Sequence, residues 1–177
     1  MAAFTVYWRR DYWKSLPRED PGPRLTVLFG GPHQSQPSFL RAGVEVGDRL
    51  FPITAYRRRV YVLASMLVSE IVEVDSGTDP ELRGLLRRYA EWSFLAETCT
   101  TEVVIGTQGT PIRRDRVVPG HVLRSWRYLN RRGERGLRFL EGDEMARADS
   151  FWGIYRLSDD TAAALATMTG EGLAIVP

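Results

Sequence analysis

The chain has 177 residues, 44% hydrophobic and 26% charged, with a formal net charge of +2, which is ordinary globular material sufficient for one domain with a sizeable core. Cys99 is the only cysteine, which excludes an internal disulfide, and with His33 and His121 as the only histidines a zinc site would need carboxylates at no recognisable spacing. No apolar run approaches the ~20 residues needed to cross a bilayer and no secretory leader opens the sequence, so a cytoplasmic protein without membrane contact, metal or cofactor is expected.

Residues 4 to 8 read as an apolar strand, and Tyr12-Trp13 as the start of a short turn ahead of the loop from Pro17 to Pro23. Leu25 to Phe29 is a brief apolar run stopped by Gly30-Gly31-Pro32, and the polar stretch from His33 to Ser38 has the composition of a pocket rim. From Pro37 to Asp75 a helical turn feeds a long hairpin. Its strands are Leu50 to Ala55, after the Gly47-Asp48 corner, and Val60 to Val74, with Arg57-Arg58-Arg59 capping the connection. A loop is expected between Asp75 and Asp79. Asp79-Pro80-Glu81 then starts a helix, and Leu82, Leu85, Leu86, Tyr89, Trp92 and Ala96 recur at a spacing that predicts one amphipathic helix over 80 to 97.

Residues 100 to 106 read as a strand, 107 to 110 as its turn and 111 to 118 as the returning strand. Pro119-Gly120 introduces a predicted helix from Val122 to Leu129. Leu137 to Leu140 and Ser150 to Leu157 are the last strands, and Ser158 caps a helix through Met168, with Asp159 and Asp160 at the positive end of its dipole. Strands interrupt helices without a regular strand-helix-strand alternation. That argues for an α+β fold and against a doubly wound sheet, and a small closed or nearly closed β-barrel with peripheral helices is the natural packing.

Ser38-Phe39-Leu40-Arg41, then Val46-Gly47-Asp48, then a hydrophobic strand and a second one closing on Val68-Ser69-Glu70, resemble the EVE branch of the PUA-like superfamily. Val6-Tyr7-Trp8 is similar to that family's first strand, and Tyr155 to Ser158 with Asp159-Asp160 to its closing strand and helix. The resemblance covers residues 4 to 75, and 111 to 168 more loosely. It implies a single PUA-like domain over 1–177 with a helical insertion around 76–99. Arg9-Arg10-Asp11-Tyr12 stands where the family has a lysine-serine-glutamate-proline run, and Pro37-Ser38 where it often has an arginine-asparagine pair. What the resemblance implies for function is a reader of a modified base, held in an aromatic-lined pocket at the barrel mouth. By it Trp8 is the stacking wall, Ser38 a polar contact and Thr54 the end of a strand lining the pocket, with Trp13 among the neighbouring aromatic residues. As a residue in a strand, Trp8 serves equally well as core filler, because one ring of the Tyr7-Trp8 pair must face inward.

All but one of the 24 basic side chains are arginines, Lys14 being the exception, and each guanidinium suits phosphates and stacked bases. They concentrate between Arg113 and Arg138, including Arg113, Arg114, Arg127, Arg131 and Arg132, with Trp126, Tyr128 and Phe139 interleaved. If these share a face they bind a nucleic-acid backbone, DNA or RNA alike; if they scatter they pair with the acidic stretch from Glu141 to Asp160. Arg57 sits in a turn where either a phosphate or water is its partner. Catalytic motifs are missing: there is no GxxxxGK loop and no GxSxG elbow. The expected protein is therefore a non-catalytic nucleic-acid binder. A small-molecule or protein-interaction module on the same barrel is the alternative.

Overall fold

The structure is a computed structural model that describes residues 1–19, 21–75 and 79–170. The first strand, β1 (Ala3–Tyr7), is followed by helix α1 (Arg10–Ser15), β2 (Val27–Gly30) and a single helical turn, α2 (Phe39–Ala42). Ser38 caps that turn by accepting from the Arg41 N–H, and Gly43, at φ 79°, ends it in the left-handed conformation a side chain would resist. Strands β3 (Arg49–Tyr56), β4 (Arg59–Val62) and β5 (Met66–Glu73) come next. The predicted single strand from Val60 to Val74 is thus broken at 63–65. There the backbone leaves one neighbour for others: Leu63 donates to Pro52, and the Ser65 carbonyl accepts from Thr110.

Helix α3 (Pro80–Arg88) begins as expected at the Asp79 cap but does not run to residue 97. Tyr89 leaves helical geometry, at φ −112° and ψ 44°, and Ala90–Leu95 continues as a 3-10 stretch. The change of pitch turns both Trp92 and Leu95 into the core with Leu82. The expected loop between Asp75 and Asp79, and the start of the expected insertion, fall on 76–78, outside the described residues.

Strand β6 (Glu102–Thr107) pairs with β5 and β2. The segment after it does not fold back on β6. Residues 110–118 run beside 60–65 instead, with Val118 donating to Val60 and Arg113 to Leu63. Gly109 permits the crossing, because a Cβ there would run into the Leu25 carbonyl.

Helix α4 (Gly120–Ser125) stops short of its predicted end. Trp126 is already extended, and β7 (Arg127–Asn130), which takes over the last residues of the expected helix, pairs with β8 (Gly133–Gly136). Val122, Leu123 and Trp126 fit a helix face as well as they fit a helix that ends and a strand that begins, so periodicity could not separate the two. A small hairpin, β9 (Leu140–Glu141) with β10 (Glu144–Met145), precedes β11 (Ile154–Arg156) and helix α5 (Asp159–Thr169), which Ser158 caps as predicted.

The large sheet has the order β11-β1-β3-β5-β6-β2, with β4 also on β3. Only β1 and β3 run parallel. The fold is α+β, as expected, but the described strands do not close into a barrel. From the β2 edge the pairing continues irregularly, from Leu25 to Thr110 and from Thr110 to Ser65. The sheet is covered on both faces. Alternation along β3 sends Leu50 to a core shared with Phe39, Leu82 and Trp92, and Phe51 to a second shared with Leu123, Trp126 and Leu165. No helix among the described residues is long and apolar enough to cross a membrane.

Candidate functional site

Alternation at the end of β1 decides where the site lies. Val6 and Trp8 point into the first core, where Trp8 is 2% exposed and its ring meets Trp92 at 6.5 Å. The structure therefore corrects the expected position of Trp8: it is interior packing, not the lip of an opening. Tyr7, on the other side of the strand, remains half-buried and borders a cleft of about 410 Å³. A void of about 20 Å³ reaches from there to Trp8, Gln36 and Leu95, room for about one water.

Beside Tyr7 on the same cleft stands Trp152, 51% exposed. Its position is fixed by the Tyr155 hydroxyl, which donates to its carbonyl at 2.6 Å, and by Gly153, whose φ of 129° and closeness to the Tyr155 ring exclude a side chain. Burial raises the Tyr7 hydroxyl above its ordinary pKa, partly offset by a hydrogen bond from the Trp152 side chain. Arg9, Arg10 and Asp11 complete one wall and Gln34, Ser35 and Pro37 the other.

Two of the lining residues, Arg9 and Ser35, are held from behind by the chain that follows the 3-10 stretch. Glu97 accepts from Arg9 at 2.8 Å, from the Tyr12 hydroxyl at 2.8 Å and from Ser35 at 2.9 Å. Its burial disfavours ionisation, yet those hydrogen bonds together with the Arg9 charge hold its pKa below the ordinary carboxylate value. Beside it, burial and the Glu97 charge push the Cys99 thiol upward. The rim is tied separately: Gln36 donates to the Leu95 carbonyl at 2.9 Å and accepts from Thr100 at 2.9 Å. The helical segment after β5 is thus the buttress of the cleft.

A second assembly adjoins it. Trp13 stacks on Tyr56 at 5.9 Å and 26°, and lies 5.0 Å from Tyr61. Arg114 covers Trp13 at 5.2 Å, while Arg10 and Arg57 lie at 5.7 Å and 5.3 Å from Tyr56. Burial and the charge of Arg18 lower the Arg114 pKa, and its guanidinium donates to the Leu16 carbonyl.

Three of the residues singled out from sequence, Trp13, Arg57 and Arg114, are therefore brought together. The others are not. Ser38 is buried, capping α2 and donating to Glu102. Thr54 is 1% exposed and donates to the Trp8 carbonyl at 2.8 Å. Both are scaffold. The arginine run from 113 to 138 is divided by the fold rather than gathered as a block. Arg113 is bidentate on Asp115, Arg127 donates to the Arg124 and Trp126 carbonyls, and Arg131 and Arg132 form the exposed tip of the β7–β8 hairpin. Arg124 and Arg147 pair with Asp143 and Asp149. Tyr7, Arg9, Arg10, Glu97 and Trp152 were not selected from sequence as the cleft. The available signal was the arginine pair directly after the β1 aromatics, and a Trp-Gly step just before the last strand.

No family model and no curated protein matches the chain. Among solved structures, the crystal structure of ASCH from Zymomonas mobilis aligns over 94% of each chain with 13% identity and a TM-score of 0.44. That likeness is one of outline.

Proposed function

We propose that this chain is a non-catalytic nucleic-acid-binding protein that holds one base in the cleft lined by Tyr7 and Trp152, modified bases being the ligand class to screen first. The observation that carries the reading is the cleft itself. A half-exposed indole and a tyrosine that it hydrogen-bonds line a volume in the range of small-molecule sites, with Arg9 and Arg10 on its wall. An unstacked base is held in such surroundings by ring faces and by hydrogen bonds to its polar edge, which Gln34 and Ser35 are placed to make. Arg10 supplies charge for the adjoining phosphate.

The reading keeps the resemblance to the EVE branch of the PUA-like superfamily as its frame, with the cleft taking the part of the barrel mouth. The irregular pairing beyond β2 is consistent with an incompletely closed barrel. One sheet shared by both cores favours a single domain with the 76–99 segment inserted into it. Absence of chemistry is favoured by Cys99, whose thiol is biased toward its protonated form, and by His121, which is exposed on α4 over the other core.

Anisotropy titration of the purified protein at low salt, with single- and double-stranded DNA and RNA, tests the proposal. Binding that weakens as salt rises is expected. The cleft volume also suits a free nucleoside-sized molecule. Salt-independent binding of nucleosides, with none of oligonucleotides, would replace the proposal by a small-molecule module.

A further inference from the structure

The turn between β3 and β4 is built from the wrong residues for its geometry. Arg57 and Arg58 form a two-residue hairpin loop with φ of 49° and 65°, the conformation that Asn-Gly adopts with least strain. Each non-glycine residue held there is disfavoured. Arg58 has a structural reason to be present, since it is paired with Glu141 at 2.8 Å and Glu144 at 3.1 Å. Arg57 has none of that kind. It is exposed, has no ion pair among the described residues, and lies over the Tyr56 ring. Arg10 lies over the same ring and also lines the cleft. A continuous path therefore leads from the cleft across Arg10 and Tyr56 to Arg57, with Trp13 and Arg114 stacked behind it.

We infer that this path is the track for the strand flanking the captured base, that its ligand is single-stranded nucleic acid, and that Arg57 is kept in a strained turn because its guanidinium holds a phosphate there. The inference rests on the base-holding reading of the cleft. Both guanidinium groups rest on the Tyr56 ring, so the phosphates of the strand meet positioned charges rather than long mobile side chains. A duplex would first have to flip the base out of its stack, a cost that a single strand does not carry, so the single strand is the favoured ligand.

Arg57→Asn tests this, since asparagine suits the left-handed turn. The variant is expected to unfold at a higher temperature than the wild type while binding a ten-nucleotide single strand about tenfold more weakly at low salt. Its salt slope is expected to fall by about 0.7, one phosphate's worth for a single strand. A mononucleotide, too short to reach the track, should bind both proteins equally. If the wild type shows no salt-sensitive binding at all, the cleft reading fails and the track with it. If the wild type binds but Arg57→Asn matches it in affinity and slope, or if duplex binds as tightly as single strand, the track alone is overturned. Arg10→Gln gives a second reading of the slope, expected to fall by a similar amount.

Discussion

Replacing Trp152 by alanine separates the cleft from the rest of the molecule. The indole is 51% exposed, so roughly half of the ~200 Å² that such a ring contributes when enclosed is available to a ligand, worth up to ~2.5 kcal/mol. Stacking of a base on an aromatic side chain is worth ~1–3 kcal/mol, which agrees. The expected loss of affinity for a single-stranded oligonucleotide is therefore between about fivefold and about 150-fold. Fluorescence anisotropy at low salt reads it directly, with calorimetry on the same samples to show that the variant is folded. The salt slope should be unchanged, because no charge is removed. Trp8→Phe is the control: it keeps an aromatic ring in the core and should bind like the wild type. Should Trp152→Ala bind within twofold of the wild type while Trp8→Phe loses affinity, the ligand is held on the other side of β1 and the assignment of the cleft is wrong.

Three further outcomes follow from the interior. Trp8→Ala removes a core side chain packed against Trp92 and should cost ~3–5 kcal/mol of stability, about 6–20 °C in the thermal midpoint of a chain of this size. Glu97 has a folded pKa below its unfolded one, so its contribution is present in full above the ordinary glutamate value and is lost as pH falls through the lower, folded one. The stability gap between wild type and Glu97→Gln should therefore be constant from pH 7 to about 5 and shrink below ~4.3. With Arg9 42% exposed the ion-pair part of that gap is no more than ~1 kcal/mol, and chemical denaturation across pH measures it. Cys99 should alkylate slowly near neutral pH and faster in Glu97→Gln, because burial and the Glu97 charge both oppose its thiolate. Equal rates in the two proteins would show that the carboxylate does not act on the thiol.

Local chemistry was legible where a single residue decides the outcome. The Asp79 and Ser158 caps both stand where the sequence places them, and the Arg57-Arg58-Arg59 connection is a tight turn. The reading failed where two structures share one periodicity. Val122 to Leu129 satisfies a helix and also a helix followed by a strand, and tertiary pairing of Tyr128 with Arg135 and Leu157 chose the second. Likewise, 111–118 was expected beside its sequence neighbour but pairs with 60–65, a long-range choice that no local signal announces. Of the assembly beside the cleft, Trp13, Arg57 and Arg114 were singled out from sequence for the stacking and phosphate-holding chemistry of their side chains, and the fold brings them together. Trp8 was misplaced for want of one fact, which face of β1 is buried. Glu97 was invisible because its importance lies entirely in three partners from distant parts of the chain.

The cleft is secured by two fasteners of different kinds. Gln36 has an amide, which does not titrate, whereas Glu97 grips Arg9 only while it carries charge. Acidification should therefore slacken one fastener and leave the other shut: the entrance keeps its outline while the guanidinium of Arg9 is released from its internal acceptor toward whatever anion occupies the opening. Affinity for a phosphate-bearing ligand should then rise only once the pH has fallen below the ordinary glutamate value, and stay level above it.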